Sequence, residues 1–158
     1  MQRRNILLNA MAGLAANLSP RSVWALDRAG SGIAETDELL DRLQAARRRA
    51  GLQSLRLNPR LTEVALAQAK WMRDSGEVTH LSGDGANPAA RGRDAGYSNR
   101  ILGETLAGTD LGVAEIYRSW IEHEPTRAVL LEPAARDVGL GGAGSTSSKN
   151  WWSVVIGG

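Results

Sequence analysis

An α+β layered domain is what this sequence predicts, on three observations. Apolar residues recur at three- and four-residue intervals through most of the chain, two extended segments close it, and no β-α alternation of a parallel sheet runs between them. At 158 residues the length suits one domain with a real core, and no internal repeat divides it.

The first residues follow a different plan. Arg3 and Arg4 precede a mildly apolar run from Ile6 to Leu18, and Ser19, Pro20 and "SVWA" follow. This is the layout of an export signal over residues 1–25, with Val23 and Ala25 at the minus-three and minus-one positions of a cut after Ala25. The paired arginines also suit a twin-arginine signal, so the general secretory and twin-arginine routes both stand. The run is too short and too broken by asparagine for a span, which needs about 20 largely apolar residues. Loss of Arg3, Arg4 and Arg21 leaves 16 basic residues of the original 19 against 17 acidic ones. That near-neutral balance argues against nucleic acid or an anionic membrane surface as partner. With no cysteine, neither a lipid anchor on cysteine nor a disulfide framework is available.

Residues 26–35 read as a linker and 36–158 as the folded domain. From Thr36, Leu39, Leu43, Ala46 and Ala50 form one helical stripe, with Asp37 and Glu38 in the first turn and Gly51 after the end. "ARRRA", Ala46 to Ala50, reads as the solvated end of that helix, where positive charge suits the dipole. Asn58-Pro59 opens a second helix, striped by Leu61, Val64, Ala65, Ala69 and Met72, that stops at Gly76. A polar, glycine-rich loop carries His80 to Asn87-Pro88, which opens a short helix through Arg93. "SNRILGETLAGTD" reads as a link to a further helix, capped by Asp110, striped by Val113, Ile116, Tyr117 and Trp120, and halted by Pro125. "RDVGLGGAG" and "NWWSVVIGG", joined by "STSSK", read as a terminal antiparallel hairpin. Trp152, Val154 and Ile156 share one face of it and belong to the core; for Trp151, on the other face, burial and exposure both remain open.

Several catalytic signatures fail on context. "GLGGAG" spells a dinucleotide fingerprint, but a tryptophan-rich strand follows it instead of a helix. "HEPTR" at His123 begins like a zinc-protease helix, yet Arg127 stands where the second histidine belongs and Pro125 interrupts the helix. No G-x-S-x-G elbow and no cysteine nucleophile is present.

The order of the His80 loop, "GETLAG", the Trp120 helix, "TRAVLL", "VGLGG" and "WWSVVIG" resembles the bacterial branch of the CAP superfamily. That superfamily includes cysteine-rich secretory proteins, antigen 5 and plant pathogenesis-related proteins. The resemblance runs from about Leu39 to Ile156. It implies a three-layer α-β-α sandwich with a small antiparallel sheet and a cleft lined by two histidines and two acidic residues. His80 matches the first family histidine and Glu104 the glutamate of the family's G-E-N stretch. The second histidine belongs to a W-x-x-S-P-x-H-R stretch, and "WIEHEPTR" aligns Trp120 and Arg127 but puts Thr126 in its place. His123 stands three residues earlier, flanked by Glu122 and Glu124, and a helical turn displaces a side chain by about 5 Å.

His80 and Glu104 are thus the candidates for any catalysis, His80, Glu104, His123 and Thr126 for the cleft, and His80 with His123 for metal. For His80 three roles stay open: bonding Glu104 or a backbone group to shape the loop, binding a divalent ion such as zinc weakly, or acting as a general base. No cofactor is otherwise indicated. The reading is a periplasmic or secreted binding module with a lipid or cell-envelope ligand, against a weak metal-assisted hydrolase or a structural envelope protein.

Overall fold

The C-terminal hairpin is the middle of the sheet. The computed structural model describes residues 33–144 and 149–158, with side chains from residue 35 onward; the expected leader and residues 145–148 of the "STSSK" joint lie outside the described residues. Strands β1 (Arg56–Leu57), β2 (Ile101–Thr109), β3 (Asp137–Gly144) and β4 (Asn150–Gly157) are ordered β1-β3-β4-β2. β3 and β2 both run antiparallel to β4, while the short β1 is parallel to β3. The sheet is therefore mixed, not wholly antiparallel, because the "LQSLRL" link adds an edge strand.

Helices cover both faces, as the resemblance implies. They are α1 (Ile33–Arg49), α2 (Pro59–Ser75), α3 (Pro88–Asp94), α4 (Val113–Glu122) and α5 (Glu124–Leu130). The first starts three residues before Thr36, inside the expected linker. Asn58 caps α2 by accepting from the N–H groups of Arg60 and Leu61, and Gly76 ends it in the left-handed region at φ 76°. On one face Leu39, Leu40 and Leu43 of α1 and Val113, Ile116 and Trp120 of α4 pack with Val138, Leu140, Trp152, Val154 and Ile156. On the other, Leu61, Val64 and Ala65 of α2 pack with Tyr97 and Val155.

The question left open for Trp151 is answered by burial, because both faces of β4 are covered. Several expectations are corrected. "SNRILGETLAGTD" is a strand, not merely a link; two glycines, a buried carboxylate and an irregularity between Ile101 and Gly103 disguise its alternation. Asp110 does not cap α4, whose N-cap is Gly112 without a side-chain bond. Pro125 does not simply stop the pattern; it lies in the first turn of α5, where a missing N–H costs nothing. Arg47 of "ARRRA" is fully buried, and its guanidinium donates to the carbonyls of Gln53, Leu130 and Glu132. It satisfies the end of α5 rather than facing water.

The glycines of "GLGGAG" also acquire a reason. A Cβ on Gly139 would lie 2.0 Å from the Leu61 carbonyl carbon, and one on Gly141 would lie 2.4 Å from that of Ala65. β3 meets the backbone of α2 directly, so only glycine fits at these two positions.

Candidate functional site

His80 is held from beneath. After Gly76 the chain crosses back over the end of β2, where Val78 lies against Gly108. Two side chains then grip the loop backbone. Gln68 Nε2 donates to the carbonyls of Thr79 at 2.6 Å and Leu81 at 3.4 Å. Arg91 Nη1 donates to the carbonyls of His80 at 2.7 Å and Ala86 at 2.9 Å. Gln68 projects from the buried stripe of α2, and Arg91 sits one turn inside α3, whose start is fixed by Asn87 accepting from Ala90 N–H.

Glu104 lies on β2 opposite Val155, on the α2 face of the sheet. Its side chain is 1% exposed, yet both carboxylate oxygens are occupied. Oε1 accepts from Arg91 Nη2 at 2.6 Å and from Ser153 Oγ at 3.3 Å, and Oε2 accepts from His80 Nδ1 at 2.8 Å. Arg91 supplies the countercharge that a buried carboxylate requires. A carboxylate can only accept, so His80 Nδ1 must be the donor. The neutral ring is thereby fixed in one tautomer, with the Nε2 lone pair left on a side chain that is 59% exposed. Such a nitrogen can accept a hydrogen bond, take a proton or hold an ion.

The other expected cleft residues are arranged differently. His123 is exposed at the joint of α4 and α5, between exposed Glu122 and Glu124. Thr126, at the family's histidine position, donates to the Trp120 carbonyl at 2.6 Å, with the His123 carbonyl at 3.1 Å and His123 Nδ1 at 3.4 Å. It closes the joint between two helices. Trp120 Nε1 in turn donates to the Leu106 carbonyl at 3.2 Å, tying α4 to β2. Among the described residues no hydrogen bond or ion pair links His123 or Thr126 to His80 or Glu104.

The donor set does not fit zinc. Both Glu104 oxygens are engaged by Arg91, Ser153 and His80, which leaves His80 Nε2 as a single ligand. No group of three or more His, Asp or Glu suited to a metal occurs among the described residues. Zinc sites ordinarily use three or four protein ligands.

Arg91 and Gln68 were missed by the sequence reading. Gln68 had a signal: it interrupts the buried stripe of α2, where a polar residue needs a specific partner. Arg91 had none, since nothing in "ARGRD" separates it from the exposed Arg93.

The chain is similar in sequence and in fold to several bacterial proteins. Bacillus subtilis (strain 168) YkwD, an uncharacterized protein, is 26% identical over 120 residues, covering 76% of this chain and 46% of its own length. The chain thus spans less than half of that relative. An outer surface protein from Borrelia burgdorferi superposes with a TM-score of 0.74 at 18% identity, over 78% of this chain and 92% of that one. An extracellular SCP-domain protein from Bacillus anthracis str. Ames superposes at 0.67 with 21% identity, over 76% and 39%. Both share the sandwich. Residues 40–156 match the sequence pattern of the Cysteine-rich secretory protein family, CAP, so this chain, which has no cysteine at all, belongs to that family.

Proposed function

We propose that the chain is an exported binding module whose cleft at His80 and Glu104 takes an amphiphilic ligand of the cell envelope, such as a lipid. One observation carries this reading: the ring of His80 is fixed at Nδ1 by the buried Glu104 while the rest of it stays exposed. Val78 and Leu81, in the same loop, are 51% and 50% exposed, so a polar anchor stands between apolar side chains. A ligand with a hydrogen-bonding head and an apolar body matches that surface. The arginine pair and apolar run near the N-terminus, together with relatives described as extracellular or outer-surface proteins, support export to the periplasm or beyond.

The test is titration of the protein with phosphatidylethanolamine–phosphatidylglycerol vesicles, followed by the ring resonances of both histidines. His80 should shift while His123 does not, and Val78→Ser with Leu81→Ser should weaken binding about tenfold. Equal shifts at both rings, or none, would overturn the reading. Intact mass of envelope or medium protein should place the new N-terminus near Leu26.

The carboxylate–imidazole pair also favours a second reading, a weak hydrolase in which His80 Nε2 takes a proton from water. General-base action contributes about 10²–10⁴ in rate. Identical ester hydrolysis by the protein and His80→Ala would dispose of it.

A further inference from the structure

The His80 loop runs on through "SGDGANP", which holds the only Asp-Gly pair of the sequence, Asp84-Gly85; Asn-Gly does not occur. An aspartate before glycine is open to attack by the next main-chain nitrogen, because no Cβ on the glycine shields that nitrogen from the carboxyl group. Gly83, Asp84 and Gly85 are all exposed, and a Cβ on Gly85 would meet nothing within 4 Å. Neither packing nor burial protects the pair.

The reaction open to it is cyclisation. Gly85 N forms a bond to Asp84 Cγ, a carboxyl C–O bond breaks, and the amide proton leaves with the hydroxyl as water. Water then reopens the five-membered imide. Attack at the Asp84 main-chain carbonyl leaves the peptide link on Cγ, which is isoaspartate; one water is released, one is consumed, and nothing is oxidised or reduced. The step needs a protonated carboxyl group, which can lose hydroxide, and a nitrogen able to give up its proton.

Ser82 opposes both requirements. Its carbonyl accepts from Gly85 N–H at 2.8 Å, so the turn must open before that nitrogen is released. Its hydroxyl donates to Asp84 Oδ1 at 2.7 Å, and Ala86 N–H donates to the same oxygen at 3.0 Å. The Ser82 hydroxyl, then the Ala86 N–H, hold the Asp84 carboxyl below its usual range, in the ionised form that cannot lose hydroxide.

The same bonds determine what conversion would do. Isoaspartate lengthens the main chain by one atom between Ser82 and Ala86. The Ala86 carbonyl accepts from Ser82 N–H at 3.0 Å and from Arg91 Nη1 at 2.9 Å, and that Arg91 nitrogen also holds the His80 carbonyl. A longer turn shifts the Ala86 carbonyl away from both donors.

We propose that Asp84-Gly85 is a latent site of isoaspartate formation, guarded by Ser82, whose conversion loosens the His80 loop. The inference does not depend on what the cleft binds.

Prolonged incubation of the full chain in warm neutral buffer tests it, with isoaspartate at Asp84 located by electron-transfer fragmentation of the tryptic peptide 74–91. Chain held unfolded in guanidinium chloride should convert about tenfold or more faster than folded chain. Folded Ser82→Ala should convert about threefold or more faster than the unaltered protein, with amide exchange in α2 unchanged to show that the fold is intact. Ser82→Thr, which keeps a hydroxyl, should convert at the unaltered rate. In converted chains the amides of Leu81 and Ser82, both hydrogen-bonded within the loop, should exchange faster. No isoaspartate at Asp84 in the unfolded chain, equal rates folded and unfolded, an unaltered rate in Ser82→Ala, or unchanged exchange of the two amides after conversion would each overturn the proposal.

Discussion

The two loops expected to face each other across a family cleft are held by opposite means. The His80 loop is gripped by Gln68 and Arg91, and its imidazole ends on a carboxylate that is 1% exposed. The α4–α5 joint holds His123 only through its own turn, with Thr126 bonding the backbone three and six residues back. One histidine is positioned by long-range buried partners, the other by local chain geometry. A recognisable pattern therefore does not assign a role; the buried partners do.

Substitutions should break this contrast in order of size. Glu104→Ala leaves Arg91 buried without its countercharge and should cost about 3–5 kcal/mol in denaturant unfolding; a loss under about 1 kcal/mol would mean that the pair is solvated. Gln68→Leu strips the Thr79 and Leu81 carbonyls of their donor and should cost about 1–3 kcal/mol, with faster amide exchange confined to the His80 loop. Thr126→Ala, which opens the helix joint, should cost about 1 kcal/mol. His123→Ala should stay within about 0.5 kcal/mol, and a larger loss would show that the exposed histidine has a partner elsewhere.

Metal affinity sharpens the same comparison. With one available imidazole, zinc should bind weakly, at about millimolar strength or poorer, and His80→Ala should remove even that. Tight binding that His123→Ala abolishes would bring the two loops together after all.

Much of the fold was legible because local chemistry dictated it. Asn58-Pro59, Asn87-Pro88 and Gly76 set helix ends by capping, which needs no tertiary information. The terminal hairpin declared itself by two extended segments on either side of "STSSK". β2 stayed hidden because its residues answer to distant neighbours: Gly103 makes room for Val129, Gly108 for Trp151 and Val78, and Glu104 turns inward to Arg91. Arg47 misled for the same reason, since its partners Leu130 and Glu132 lie on a helix end more than eighty residues away. In the site, His80 and Glu104 were found through the resemblance. Their contact at 2.8 Å and the arginine behind it belong to tertiary structure.

The central claim is that buried Glu104, neutralised by Arg91, fixes the tautomer of His80 and leaves Nε2 free. Long-range nitrogen–proton correlation spectra of the two histidine rings, recorded at alkaline pH, test it directly. His80 should show a protonated Nδ1 and an unprotonated Nε2, with His123 averaging between tautomers, and Glu104→Ala should make the two spectra alike. A protonated Nε2 on His80, or averaging of its ring in the unaltered protein, would contradict the account.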